Sequence, residues 1–314
     1  MILTVILLLA GFFILIKGAD FFVDGSSSIA RLLRIPSIIV GLTIVAFGTS
    51  APELSVSVSA AMSGSNEIAL SNVLGSNIFN LLVVTGASAL IHFVPVSDEI
   101  RRRDLPVSIL AAALTFIFAL PAGGQMRFER WEGIILLAIF ALYLFIQIRS
   151  ALRSRKTAPE DPMEGVLSPF RSVALIVIGC VMVVLGGNLV VDKATVIAQA
   201  LGWSQTLIGL TIVAIGTSLP ELVTYIVAAK KGEYDLSIGN VVGSNIFNIL
   251  MILGLSTSLH PIPAKPTALF DSAFLILISV MVLVFSRTSK RINRAEGIVM
   301  LAAYAIYDIY IILR

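Results

Sequence analysis

Apolar residues in this chain come in long unbroken runs, not in the alternation of a half-buried strand or the single stripe of a surface helix. Roughly 20 apolar residues carry a helix across a bilayer. On that ruler the runs define ten segments: 2–27, 38–63, 67–93, 105–121, 131–148, 170–192, 206–229, 236–259, 267–286 and 295–313. The expected fold is all-α and polytopic, with ten transmembrane helices. The first run lacks a basic start and a small-residue cleavage site and is too long for a secretory leader, so it is read as helix 1.

Polar residues interrupt these runs in a repeated way. GLTIVAFGTSAPEL (Gly41 to Leu54) returns as GLTIVAIGTSLPEL (Gly209 to Leu222), and SNVLGSNIFNLL (Ser71 to Leu82) returns as GNVVGSNIFNIL (Gly239 to Leu250), both at an offset of 168 residues. Gly18 with Gly186, Asp24 with Asp192 and His92 with His260 keep that offset. The chain therefore reads as a duplication. A first repeat covers 1–148 with its core block near 38–93, a linker covers 149–169, and a second repeat covers 170–314 with its core block near 206–259. Five helices per repeat is an odd number, so the second copy must enter the membrane in the opposite sense. Inverted repeats of this kind place substrate and coupling-ion sites near the midplane, where broken helices expose backbone groups.

Composition changes the picture little. The chain is 57% hydrophobic and 13% charged, with a mean hydropathy of +0.99, against about 25% charged residues in soluble domains. A net charge of +3 calls for no nucleic-acid partner, and the lone Cys180 cannot form an intrachain disulfide. The basic residues are more informative, because cytoplasmic loops collect Lys and Arg. One side holds Arg31, Arg34, Arg101 to Arg103, Arg149, Arg153, Arg155, Lys156, Arg171, Lys230, Lys231, Arg287, Lys290, Arg291 and Arg294; the other holds only Arg127, Arg130, Lys193, Lys265 and Arg314. That bias predicts a multi-pass protein of the plasma (inner) membrane with both termini outside and the linker in the cytoplasm. Arg101 to Arg103 are read as a topology and headgroup anchor, and Asp24 and Asp192 as closing helices 1 and 6.

The chemistry lies in the repeated blocks. Glu53 and Glu221 each stand inside an apolar run, where even an Asp costs roughly 2.5 to 3.5 kcal/mol at a helix centre on insertion scales and ionisable groups mark function. Pro52 and Pro220 each disrupt the helical hydrogen bond to the carbonyl four residues earlier, which predicts that the carbonyls of Gly48 and Gly216 are freed and their neighbours loosened. Thr49 and Glu53 are four apart, as are Thr217 and Glu221, so each pair shares a helical face. Ser76 with Asn80 and Ser244 with Asn248 repeat that spacing. Two carboxylates, these hydroxyl and amide oxygens, and the carbonyls near Ala46, Thr49, Ala214 and Thr217 make an all-oxygen set. Such a set suits a hard cation, and calcium in particular takes about 6 to 8 oxygens in flexible geometry. Two fixed negative charges balance one divalent ion or two monovalent ones, which is a route to competition.

GLTIVAFGTSAPE with GSNIFN, and their second copies GLTIVAIGTSLPE and GSNIFN, resemble the α-repeats of the cation/calcium exchanger superfamily, sodium/calcium branch, of prokaryotic type. The resemblance implies that Glu53 and Glu221 hold Ca2+ and Na+ alternately. It adds as ligands Thr49, Ser50, Ser76, Asn80, Thr217, Ser218, Ser244, Asn248 and the carbonyls of Ala46 and Ala214. It implies that helices 1 and 6 slide across the other eight to alternate access. Potassium-dependent members carry an acid at one of the two asparagine positions; both are asparagine here, which argues against K+ use. The linker has no room for a large regulatory domain.

The expectation is thus a Ca2+/Na+ antiporter and not an enzyme. It needs no cofactor, its partners are Ca2+, Na+ and the lipid bilayer, and no obligatory protein partner is evident. A Ca2+/H+ antiporter of the same fold stays open. A passive cation channel could use the same oxygens, but channels build rings around a pore axis. An intramembrane hydrolase would need a catalytic constellation such as HExxH, for which two histidines at helix ends do not suffice.

Overall fold

The computed structural model describes residues 1–63, 66–121, 126–157, 166–203, 212 and 214–313. Gly209, most of the opening of the second repeated block, the middle of the linker and Arg314 lie outside the described residues. In the first half the helices are α1 (Ile2–Leu33), α2 (Ser37–Val40), α3 (Ala46–Thr49), α4 (Ala51–Met62), α5 (Asn66–Phe79), α6 (Thr85–Ile91), α7 (Leu105–Ala119) and α8 (Arg130–Thr157). In the second they are α9 (Pro169–Ala200), α10 (Ala214–Thr217), α11 (Leu219–Lys230), α12 (Tyr234–Ile246), α13 (Gly254–Leu259), α14 (Pro266–Ser289) and α15 (Arg294–Leu313).

Seven helices among the described residues are long and apolar enough to cross a membrane, and α2–α3 with α4 make an eighth span bent by 51°. The expected span 105–121 appears as α7, 15 residues long. The expected span 206–229 appears in its described part as α10 and α11. Wider π-helical turns join several of these pieces: Gly41–Val45 between α2 and α3, Asn80–Val84 between α5 and α6, and Phe247–Leu253 between α12 and α13. Single π turns inside α-helices occur frequently at functional sites. Here two of them begin at or next to Asn80 and Asn248, where no sequence pattern announced them.

The two helices that carry the repeated GSNIFN blocks form the centre. The apolar window of Tyr234–Leu259 is 89% buried and that of Glu67–Ile91 72%, against 22% for α1 and 28% for α9. α1 and α9, 32 residues each, run past the expected ends at 27 and 192. Asp24 therefore lies within α1 rather than closing it, and it accepts from the Lys231 ammonium at 2.7 Å. Asp192 likewise lies within α9.

α1 and α9 occupy matching places in the two repeats and lie against each other antiparallel. A Cβ at Gly18 would meet Met182 and Val183, one at Gly11 would meet Val190, and one at Gly25 would meet Ser172 and Ile176. Small residues permit this approach, and between lipid-embedded helices close packing replaces the hydrophobic effect as the source of association.

Two short antiparallel pairings cross between the halves: Val94–Pro95 with Arg291–Ile292, and Arg127–Phe128 with Ile262–Pro263. Nearby, the arginine run departs from its expected role. Arg101 is 8% exposed, pairs with Asp98 and donates to the Ser286 carbonyl at 3.4 Å. Arg103 donates twice to Asp104, at 3.0 and 3.2 Å. Asp104 is fully buried and also accepts from Gln147 at 2.8 Å and Tyr143 at 3.3 Å. Arg102 alone of the three is exposed. A buried carboxylate is tolerated only when paired and hydrogen-bonded, so the run ties this corner of the protein together from inside.

Candidate cation site

Both broken helices restart in the same way. Ser50 (φ −84°, ψ 11°) and Ser218 (φ −96°, ψ 6°) leave helical geometry, proline follows within the first turn, and Glu53 and Glu221 sit in the first turns of α4 and α11. A helix start carries unsatisfied N–H groups and the positive end of the dipole, which favours a carboxylate there. Both glutamates are fully buried.

Hydrogen bonds then tie each glutamate to both halves. Ser50 donates to Glu221 Oε1 at 2.9 Å, and Ser218 donates to Glu53 Oε1 at 3.3 Å. Ser76 donates to Glu53 Oε1 at 3.3 Å, and Ser244 lies 3.5 Å from Glu221 Oε1. Every bond has its counterpart 168 residues away. In both carboxylates the second oxygen, Oε2, is buried with no hydrogen-bond partner among the described residues, and the same holds for Asn80 Oδ1 and Asn248 Oδ1. A buried acceptor left unpaired costs about 1 to 3 kcal/mol, more if charged. Four of them in two matched pairs, every one an oxygen, suit a bound cation.

The remaining expected ligands fall as follows. Thr49 is buried and donates to Asn240 Oδ1 at 3.0 Å; its hydroxyl is also 3.4 Å from Ser244 Oγ and 3.4 Å from the Ala46 carbonyl. That carbonyl already accepts from Ser50 N–H at 3.0 Å. Thr217 closes α10 as Thr49 closes α3, and Ala214 opens α10 as Ala46 opens α3. The Gly48 carbonyl, expected to be free, takes the Cys180 thiol of α9 at 3.6 Å. No cluster of three or more His, Cys, Asp or Glu side chains occurs among the described residues, so any cation here must be held largely by neutral oxygens around two carboxylates.

Four further asparagines in this layer escaped the motif reading. Asn72 donates to the Glu53 carbonyl at 3.3 Å and to Ser57 at 3.0 Å, while its counterpart Asn240 accepts from Thr49. Asn77 and Asn245 bond across the halves: Asn77 Nδ2 donates to the Asn245 carbonyl at 3.2 Å and Asn245 Nδ2 to the Asn77 carbonyl at 3.3 Å. Asn80 Nδ2 donates to Asn245 Oδ1 at 3.2 Å, and Asn248 Nδ2 to Asn77 Oδ1 at 3.1 Å. The available signal was their retention in both copies of the block.

Comparison with known proteins gives the family. The profile of the family described as "Sodium/calcium exchanger protein" matches residues 3–149 and 171–313. The chain belongs to that family, whose members are cation/Ca2+ exchangers of the membrane and not enzymes. It is 38% identical over 320 residues to CaxA of Alkalimonas amylolytica, provisionally named an antiporter, covering 98% of each chain. It is 34% identical over 339 residues to the sodium/calcium exchanger MaX1 of Methanosarcina acetivorans, covering 96% of each. A solved structure of the sodium-calcium exchanger NCX_Mj, soaked with Na+ and Ca2+, superposes with a TM-score of 0.84 at 33% identity, over 98% of this chain and 97% of that one.

Proposed function

We propose that this protein exchanges Ca2+ for Na+ by alternating access, with Glu53 and Glu221 binding the two ions in competition. It crosses the membrane ten times as two inverted five-helix repeats. The observation that carries this reading is the matched set of buried, unpartnered oxygens on Glu53, Glu221, Asn80 and Asn248. The antiparallel packing of α1 on α9 supports the inversion. Thr49, Ser50, Ser76, Thr217, Ser218, Ser244 and the carbonyls of Ala46 and Ala214 complete the coordination sphere as the ion moves through. The protein lies in the plasma (inner) membrane with both termini outside and the 149–169 linker inside.

Two ionised carboxylates cannot readily be occluded without a cation, because buried charge without a partner is costly. Exchange is therefore obligatory. Asn80 and Asn248 offer neutral oxygens rather than titrating groups, which favours Na+ over H+ as counter-ion. In Na+-loaded liposomes, 45Ca2+ enters from a Na+-free medium without K+. If Na+ moves in excess of charge balance, uptake accelerates when the interior is made positive, each uncompensated charge being worth about 2.3 kcal/mol per 100 mV. Glu53→Gln and Glu221→Gln each abolish flux in folded protein; near-normal flux in either sinks the site assignment. Equal uptake under a pH gradient with Na+ absent on both sides would instead identify a Ca2+/H+ antiporter.

A further inference from the structure

The reciprocal Asn77 and Asn245 bonds do more than join the repeats. A backbone carbonyl can only accept, and an asparagine amide has one donating and one accepting end. Asn245 spends its Nδ2 on the Asn77 carbonyl, which leaves its Oδ1 facing Asn80. Asn80 must then present its own Nδ2 at that contact, so the end left over is Oδ1, the atom that is buried and unpartnered. The mirrored chain runs from the Asn245 carbonyl through Asn77 to Asn248, and again the end left over is Oδ1. A flip of either site amide would bring two N–H donors toward the cation in place of an oxygen. The carbonyls at 77 and 245 prevent both flips, each through the asparagine side chain of the other repeat.

We propose that Asn77 and Asn245 are positioning residues that fix the amide orientation of Asn248 and Asn80 respectively, so that both present oxygen to the transported cation. This rests on the reading that Asn80 and Asn248 line the ion site. The pairing is crossed. Asn77 governs Asn248 and Asn245 governs Asn80, which separates orientation from general packing.

Half-saturating Ca2+ and maximal uptake rate measured in proteoliposomes test it. Loss of a residue that orients a ligand typically weakens metal binding about 10- to 100-fold, so Asn77→Ala raises half-saturating Ca2+ by about 10-fold and changes the maximal rate far less. An ionised carboxylate has an oxygen at both ends and needs no orienting partner. In an Asn248→Asp background, Asn77→Ala therefore has no further effect on half-saturation, whereas in an Asn80→Asp background it keeps its full effect. Equal effects in the two backgrounds would overturn the proposal in favour of a packing role. If Asn248→Ala leaves half-saturation unchanged, the ion-site reading itself fails; if Asn248→Ala raises it and Asn77→Ala does not, only the positioning role fails. Should Asn77→Ala not fold, Asn245→Ala reads the mirrored coupling through Asn80→Asp. Failure of both alanine variants to fold would make the pair a docking element and overturn the proposal.

Discussion

Gly186 and Gly187 are neighbours on α9, yet alanine at the two positions should have opposite consequences. A Cβ at Gly186 would sit 2.5 Å from Leu15 N, 2.8 Å from Leu15 Cα and 3.0 Å from the Gly11 carbonyl oxygen. These are backbone atoms of α1, so no side chain can swing aside, and relief requires α1 and α9 to part by roughly 1 Å. Overpacking of this kind costs about 1 to 3 kcal/mol, offset by at most about 1 kcal/mol from replacing glycine inside a helix. Gly186→Ala should thus destabilise by up to about 3 kcal/mol. A Cβ at Gly187 would meet only the Pro220 ring, at 3.3 and 3.6 Å, which can shift by a few tenths of an ångström. Gly187→Ala should be neutral or stabilising by up to about 1 kcal/mol. Thermal unfolding of the two purified variants in one detergent reads the difference directly, as a melting point below the parent for Gly186→Ala and at or above it for Gly187→Ala. Equal destabilisation, or a larger loss at Gly187, would refute the close backbone contact. Because α1 and α9 pack as a pair, flux in Gly186→Ala should fall with stability rather than independently of it.

Ser50→Ala and Ser218→Ala each remove one hydrogen bond to a carboxylate, a kind worth about 1.5 to 3 kcal/mol. Each should weaken half-saturating Ca2+ by about 10-fold or more, and a measured effect at only one of the two would contradict the matched geometry. Asp104→Asn strips the charge from a fully buried acceptor facing Arg103, Gln147 and Tyr143. Breaking one side of a fully buried pair costs about 3 to 5 kcal/mol; the Arg103 side chain keeps 26% exposure, so the loss on thermal unfolding should be smaller than that but above about 1 kcal/mol, and a change below about 1 kcal/mol would show the pair to be solvated. For topology, in a Cys180→Ala background, Ser154→Cys should react with an impermeant thiol reagent only from the cytoplasmic face and Gly124→Cys only from outside. The reverse pattern would invert the orientation.

The chain by itself determined what depends on composition along one dimension. Ten apolar runs, a duplication at a fixed offset, and two glutamates placed where charge is expensive were all legible in the order of residues, and the oxygen-rich character of the site followed from the residue types around them. Facing was not legible. In a bilayer a helix is apolar both toward lipid and toward its neighbours, so the pattern that reveals the buried side of a soluble helix carries little information here. That is why Asn77 and Asn245 passed unnoticed, although they sit in the same repeated block as Asn80 and Asn248. It is also why Arg101 and Arg103, read as anchors in lipid headgroups, turn out to bond to the Ser286 carbonyl and to the buried Asp104 respectively. The Gly48 carbonyl was expected to be released by Pro52, and the approach of α9 decided that Cys180 would meet it. The π-helical turns at Asn80 and Phe247 belong to the same class. They shift side chains around the helix axis to satisfy contacts with the opposite repeat, and such contacts exist only once two segments 168 residues apart have been brought together.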